Sequence, residues 1–455
     1  MLMKKSLRSI VFFLILVILM QIPLIAFAEE VLPPETGEPV VEVGFVTKDD
    51  GNTYYINENG EYAKGFLVLE DGSRYYLDAE TGVLQTGSFT IENKTYLADD
   101  ETGLIHKGWY ENGGYKYYYS TKDGHMLKGW HTLGNYKYYF DENSGRMFTG
   151  WHTIDGYRYY FCKSNGHMLK GWHTLGGYKY YFSKKSGHML KGWHNLGGYE
   201  YYFCKKNGHM LKGWHTLGDY KYYFSKKNGH MLKGLHKLGD NVYTFNDKGR
   251  LIRTVYASKK SVCLTYDDGP SDNTASILKT LKNNGALATF FVVGERVSWY
   301  PDSIKSMSGM GCQIANHSYT HPYYSNLSSD QIKSQIKKCN SAVKDYAGVK
   351  PTVCRTPGGG QSSAIKSAVG MPIILWSIDT LDWKVRNADS VYSNALSNVK
   401  DGSVILMHDL YASTAEATKR IVPALKNKGF QMVTVEEMAL LKGITLKNGC
   451  VYTNF

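Results

Sequence analysis

Gly-Trp recurs at residues 108–109, 129–130, 150–151, 171–172, 192–193 and 213–214, always 21 residues apart. Gly65-Phe66 and Gly87-Ser88 are degenerate forerunners, and Gly234-Leu235 is a fading successor. A fixed short period constrains the chain strongly, because each unit is too small to bury its own aromatic surface and must stack on the next. One unit, Gly171 to Lys191, reads Gly-Trp-His-Thr-Leu-Gly-Gly-Tyr-Lys-Tyr-Tyr-Phe-Ser-Lys-Lys-Ser-Gly-His-Met-Leu-Lys. Aromatic strand residues flank a glycine-containing turn, which is a hairpin signal. Residues 45–255 are therefore expected to form an all-β hairpin-repeat solenoid whose weak terminal units act as caps.

The Gly-Trp…Tyr-Tyr-Phe…Gly-x-Met spacing resembles the cell-wall-binding repeats of choline-binding and glucan-binding proteins and the carbohydrate-binding tails of some large toxins. In that family Trp and Tyr from adjacent hairpins, with a Met nearby, form shallow pockets. The resemblance implies two wall-binding sets: Trp130, Tyr138, Tyr139 and Met147, and Trp172, Tyr180, Tyr181 and Met189. About half of the aromatics must serve hairpin packing instead. Aromatic faces hold sugars or quaternary ammonium weakly, and repetition turns weak sites into avidity. Twelve of the 15 His lie in the repeats. They read as strand or turn positions copied with their unit rather than as a metal ladder.

At the N-terminus Lys4, Lys5 and Arg8 precede an apolar run from Ile10 to Phe27 and an Ala26-Phe27-Ala28 site. This order describes a signal peptide over 1–28, cut after Ala28, followed by a linker over 29–44. A retained anchor is the alternative, disfavoured by Pro23 and the Ala-x-Ala site. No later segment could span a bilayer, so the mature chain is expected outside the membrane. Residues 29–104 hold 4 basic and 17 acidic side chains, 105–255 hold 24 and 9, and 256–455 hold 22 and 15. The overall +12 thus belongs mostly to the middle block. On an exported protein a basic block suits anionic wall polymers such as teichoic acid better than nucleic acid. Seven Cys without a C-x-x-C pair do not describe a disulfide framework, and their pairing stays open.

From about Ala257 the pattern changes. Strand candidates at 261–266, 287–293, 312–316, 352–355, 372–378, 403–407 and 430–434 alternate with helical stretches, arguing a parallel α/β architecture over 256–455. The best-marked helix begins at Ser328, carries Gln331 as its capping-box partner, and places Ile332, Ile336, Cys339 and Val343 on one face.

Chemistry-bearing residues gather at the strand ends. Asp267-Asp268 follow the first strand, His317 and His321 the third, and Arg355-Thr356-Pro357-Gly358-Gly359 the fourth. Asp379-Thr380-Leu381-Asp382-Trp383 follow the fifth and Leu406-Met407-His408-Asp409 the sixth. In a parallel barrel these positions share one rim, the face on which such folds keep their chemistry. Two His and one carboxylate can hold a divalent cation while leaving a position for water, and zinc suits these donors. One Asp is then a ligand and the other a base, with His408 as the remaining group to protonate a leaving group. The expected reaction is metal-assisted hydrolysis of an acyl bond.

These five ordered motifs, over about 200 residues, resemble the NodB-homology polysaccharide deacetylases, carbohydrate esterase family four. The resemblance implies Asp267 as general base, Asp268, His317 and His321 as metal ligands, and His408 as general acid. Arg355 would orient Asp267 and Asp382 would tune His408. Trp383 and Leu406 would line a pocket for the acetyl methyl group, and the Gly358 N–H would help hold the oxyanion. The family fold is a distorted (β/α) barrel of about seven strands. Tyr266 stands where that family usually carries Phe, and Gly358 where it usually carries Tyr.

The combined expectation is a secreted, wall-associated deacetylase of N-acetylated wall sugars, peptidoglycan foremost. Zn2+ is its first candidate metal, ahead of Co2+, Ni2+ or Mn2+, with no nucleic-acid partner and no stable membrane insertion after cleavage. The alternatives are a wall-binding or adhesin-like protein with a vestigial catalytic domain, a deacetylase of chitin or acetylated xylan, and a glycosidase using a carboxylate pair. Adjacent Asp on one strand end are poorly placed to flank a glycosidic bond.

Overall fold

The computed structural model describes residues 41–455. The expected signal peptide and most of the 29–44 linker lie outside the described residues. Residues up to His152 together with Phe161–Met168 group into one compact unit, and Thr153–Tyr160 together with Leu169–Phe455 into a second.

The first unit is built of two-stranded antiparallel hairpins, from Gly44–Thr47 with Thr53–Ile56 to Gly129–Leu133 with Tyr136–Phe140. Trp130 faces Tyr139 across the last of these ladders. Its indole also packs 5.9 Å from the ring of Phe161, which is fully buried. Each aromatic strand thus supplies the core that a single hairpin lacks.

The second unit repeats the same construction and then changes class. In the hairpin Gly171–Leu175 with Tyr178–Phe182, Gly176 and Gly177 have φ of 56° and 81°. Two left-handed residues are what a two-residue turn between right-twisted strands requires. Trp172 packs against Tyr181 of its own hairpin and against Tyr201 and Phe203 of the next. The Met210 N–H donates to the Lys179 carbonyl at 2.8 Å, stitching consecutive units. A Cβ on Gly208, whose φ is 78°, would collide with the Met189 sulfur. The repeated Gly-x-Met is therefore a backbone-to-thioether contact copied along the array.

Strands Gly234–Leu238, Asn241–Phe245 and Leu251–Val255 form a three-stranded sheet. Val242 and Val255 pack with Cys263, Phe291 and Val433, and Arg253 pairs with the buried Glu437 at 2.8 Å. The following parallel sheet is ordered Gln313–Asn316, Thr289–Val292, Lys260–Asp267, Ser403–His408, Ile378–Asp379, and Phe430–Met432 pairs with the start of the central strand. Val262 to Tyr266 are all buried, as expected of a strand covered on both faces.

The expected strand 372–378 is two short pieces, Ile373–Ile374 and Ile378–Asp379. The expected strand 352–355 reduces to single bridges at Cys354, which links Asn316 on one side and Ile373 on the other. Pro351 and Pro372 remove backbone donors where these segments would begin. The pairing path therefore leaves Ile378–Asp379, crosses the sheet and returns through Cys354 to Ile373 on the same chain segment. Helices cover the sheet. The longest, Ser329–Ala347, has the Ser328–Gln331 capping box and buries Ile332, Ile336, Cys339 and Val343.

Candidate active site

Asp267 is the last residue of the central strand, and the parallel register sets it opposite His408 on one side and Phe291 on the other. Residues 141 positions apart in the chain are thus neighbours at one strand end. Arg355, 1% exposed, donates from Nη1 to Asp267 Oδ1 at 2.7 Å and to the Thr265 hydroxyl at 2.9 Å. Its Nε and Nη2 donate to the carbonyls of Ile374 and Leu375 at 2.8 and 2.9 Å. A guanidinium so deep is tolerated because its donors are paired and a carboxylate faces it. The consequence is an Asp267 whose Oδ1 is fixed.

Asp268 leaves the strand with φ of 67°. Its Oδ1 lies 3.3 Å from His317 Nε2 and 3.1 Å from His321 Nε2. The ligand atoms of these three side chains fall within 4.8 Å of one another, the one such group among the described residues. His317 Nδ1 contacts the Arg355 carbonyl at 2.7 Å. A carbonyl only accepts, so Nδ1 carries the hydrogen and Nε2 faces the carboxylate. Burial alone would raise the Asp268 pKa, but His317 and His321 hold it well below the usual carboxylate range. Asp268 Oδ1 is buried with no hydrogen-bond donor oriented toward it. Two imidazole nitrogens converging on an orphaned carboxylate oxygen fit a divalent cation.

The loop carrying both histidines is pinned from beneath. The Gln335 side-chain carbonyl accepts from the N–H groups of Tyr319 and Thr320 at 2.8 and 2.9 Å, and the Ser318 hydroxyl accepts from the His321 N–H at 2.8 Å. Ser318 and His321 have φ of 67° and 59°. Left-handed backbone at non-glycine residues persists only where the surroundings over-determine it, and here it clusters at the histidine–carboxylate group.

His408 donates from Nδ1 to Asp382 Oδ1 at 2.7 Å, and its backbone N–H donates to Oδ2 at 2.6 Å. The buried Asp382 also accepts from the Thr414 hydroxyl at 2.7 Å and the Trp383 N–H at 2.9 Å. Burial would lower the His408 pKa, but the hydrogen bond and charge of Asp382, with Asp267 and Asp268 nearby, push it up to about 9. Nε2 is the ring nitrogen that Asp382 does not engage.

The other expected site residues are placed unevenly. Trp383 is 47% exposed, whereas Leu406 is buried at 3%. Gly358 sits in a turn closed by the Gly359 N–H on the Thr356 carbonyl at 2.9 Å, with φ of 64°. Gly269 and Asp409, visible in the sequence as a turn residue and a strand-end residue, turn out to be partners. Gly269 is forced, because a Cβ there would collide with the Asp409 carboxylate. Asp409 itself is buried, receives the Thr274 and Ser271 hydroxyls, and has its pKa pushed up to about 7 by burial.

In the repeats, Tyr138, Tyr139, Tyr180, Tyr181 and Met189 are buried. Trp130 and Trp172 carry the ammonium groups of Lys137 and Lys179 over their rings at 4.4 and 4.7 Å. These sets are thus mostly hairpin packing, since each unit must cover its neighbour's indole. The exposed rings include Trp109 and Trp193 and also Tyr136, Tyr178 and Tyr199, the last three stacked on His167, His209 and His230 at 3.7 to 3.8 Å. The signal of these tyrosines in the sequence is their place at the start of each second strand, beside the turn. The other histidine of a unit, such as His173, bonds a turn carbonyl, that of Lys170, at 3.0 Å.

The polysaccharide deacetylase profile matches residues 254–371, and the choline-binding repeat profile matches 44–89, 106–149, 148–192 and 190–235. Peptidoglycan-N-acetylglucosamine deacetylase PgdA of Listeria monocytogenes is 39% identical over 182 residues, 40% of this chain and 39% of that protein. Peptidoglycan-N-acetylmuramic acid deacetylase PdaC of Bacillus subtilis is 36% identical over 190 residues, 42% and 41% of the two chains. A peptidoglycan-N-acetylglucosamine deacetylase of Bacillus cereus is 36% identical over 189 residues, 40% of this chain and 69% of that protein. The chain spans about two-fifths of the length of the first two relatives. On the identity and coverage of the third, and on the two profile matches, the chain belongs to the polysaccharide deacetylase family and carries choline-binding repeats ahead of that region.

Proposed function

We propose that this chain hydrolyses N-acetyl groups from cell-wall polysaccharide, with the glucosamine or muramic acid units of peptidoglycan as its substrate. The observation that carries the reading is the meeting of Asp268, His317 and His321 with Asp267 and His408 at adjacent strand ends. Held by Asp268, His317 and His321, a divalent cation, Zn2+ first among candidates, would act as the Lewis acid that polarises the acetyl carbonyl and eases ionisation of water. Asp267, with Oδ1 held by Arg355, offers Oδ2 to take a proton from the attacking water. His408, kept protonated by Asp382, delivers a proton from Nε2 to the departing sugar nitrogen. In this reading the Gly358 N–H would help hold the developing oxyanion, and Trp383 and Leu406 would line a pocket for the acetyl methyl group.

In this reading residues 1–28 direct export, 29–44 link, 45–255 bind the wall and 256–455 carry the chemistry. The enzyme is secreted and stays wall-associated through its repeats, whose basic middle block also favours teichoic acid. The test is a pair of variants. Asp267→Asn is expected to retain bound zinc and lose turnover, while His317→Ala loses both. Near-normal turnover in Asp267→Asn would overturn the base assignment.

A further inference from the structure

Beside the histidine–carboxylate group, one exposed aromatic ring is held in place by an unusual partner. Tyr323, two residues beyond His321, is 61% exposed, yet its ring lies directly on Gly358. A Cβ at 358 would sit 2.5 Å from Tyr323 Cε1 and 2.9 Å from Cδ1. The seat exists because position 358 is glycine, and the left-handed φ of 64° in that turn makes any other residue strained. The turn follows Arg355, whose carbonyl orients His317. Tyr323 therefore rests on the segment that borders the site from the His317 side.

The sheet order places this ring in a broader arrangement. The Gln313–Asn316 strand, which leads to His317 and Tyr323, lies on one side of the Lys260–Asp267 strand. The Ser403–His408 and Ile378–Asp379 strands, the second of which leads to the 47% exposed Trp383, lie on the other. Two solvent-facing aromatic rings thus stand on opposite sides of Asp267-Asp268. Exposed rings held rigidly beside a polar site are suited to stack on the apolar C–H face of a sugar. We propose that Tyr323, seated on Gly358, is a specificity-determining residue that stacks on a sugar ring of the acetylated polysaccharide and positions it over the site. This rests on the deacetylase reading above.

The test uses the full chain loaded with zinc and a pentamer of β-1,4-linked N-acetylglucosamine, with kcat, KM, zinc content and melting temperature recorded. Tyr323→Ala is expected to raise KM about tenfold, with kcat within about twofold and zinc content unchanged. Tyr323→Phe, which keeps the ring, should stay near wild type. If Tyr323→Ala lowers kcat and zinc content together, the ring is a prop for the histidine loop and the proposal fails. An unchanged KM with normal acetate release refutes it alone. A wild-type chain that releases no acetate from the pentamer or from peptidoglycan removes the deacetylase reading itself, and this proposal with it.

Discussion

Asp382→Asn separates the electrostatic role of Asp382 from a merely structural one. In the native chain the His408 imidazole, nearly buried, is raised from 6.5 to about 9, with the Asp382 carboxylate as the chief opposing influence to burial. At 1.36 kcal/mol per pH unit this amounts to about 3 kcal/mol in favour of the imidazolium. A pKa raised on folding contributes stability that is fully present below about pH 6.5 and is lost as pH rises through about 9. A neutral amide removes most of that contribution and also leaves an N–H2 group facing either the Thr414 hydroxyl and the His408 N–H or the His408 Nδ1 and the Trp383 N–H. Two readouts follow, under the same metal loading for both proteins. In the kcat–pH profile the alkaline limb, where His408 loses its proton, should move toward acid by one unit or more, on the order of the lost interaction. Unfolding midpoints should differ most near about pH 6, and above about pH 9 the difference should shrink to the pH-independent cost of the lost hydrogen bonds. An alkaline limb that stays put in Asp382→Asn while kcat falls would refute the argument, because the raised pKa would then not come from Asp382.

Other perturbations have equally definite outcomes. His408→Ala should cost roughly 10²–10⁴ in kcat with zinc content intact, measured by acetate release. Gly269→Ala should destabilise the chain, since the added methyl group displaces the Asp409 carboxylate that Thr274 and Ser271 hold; thermal melting checks it. Gly208→Ala combines a strained left-handed φ with a collision against Met189, and should lower the melting temperature by several degrees, an effect of about 1–3 kcal/mol, without altering kcat on a soluble oligomer. Binding of the full chain to isolated walls should resist moderate salt and yield to a choline-like competitor if aromatic faces carry it. It should collapse with salt if the basic block carries it.

Much of this molecule was legible where local rules dominate. The Ser328 capping box and the Ile332, Ile336, Cys339, Val343 stripe follow from helical periodicity alone, and the hairpins follow from glycine turns between aromatic strands. The expected strand 372–378 breaks because its two halves pair with different partners, a tertiary choice that alternation cannot reveal. Strand-end chemistry was readable as a set, but the register that puts Asp267 opposite His408 is a property of the sheet. The repeat aromatics were harder to sort. Tyr180 and Tyr178 are chemically identical, and only the neighbouring hairpin decides that the first is buried and the second exposed. Gly269 and Gly358 were visible as turn residues, while the side chains that need their missing Cβ atoms come from distant segments.

The most direct test is acetate release and product mass after the zinc-loaded full chain acts on defined peptidoglycan, run in parallel with chelator-treated protein and with restored metal. The account predicts acetate in step with products lighter by one acetyl group per modified sugar, loss of both under chelation, and recovery with zinc. Products cut at glycosidic bonds with no acetate, or acetate release indifferent to chelation, would contradict it.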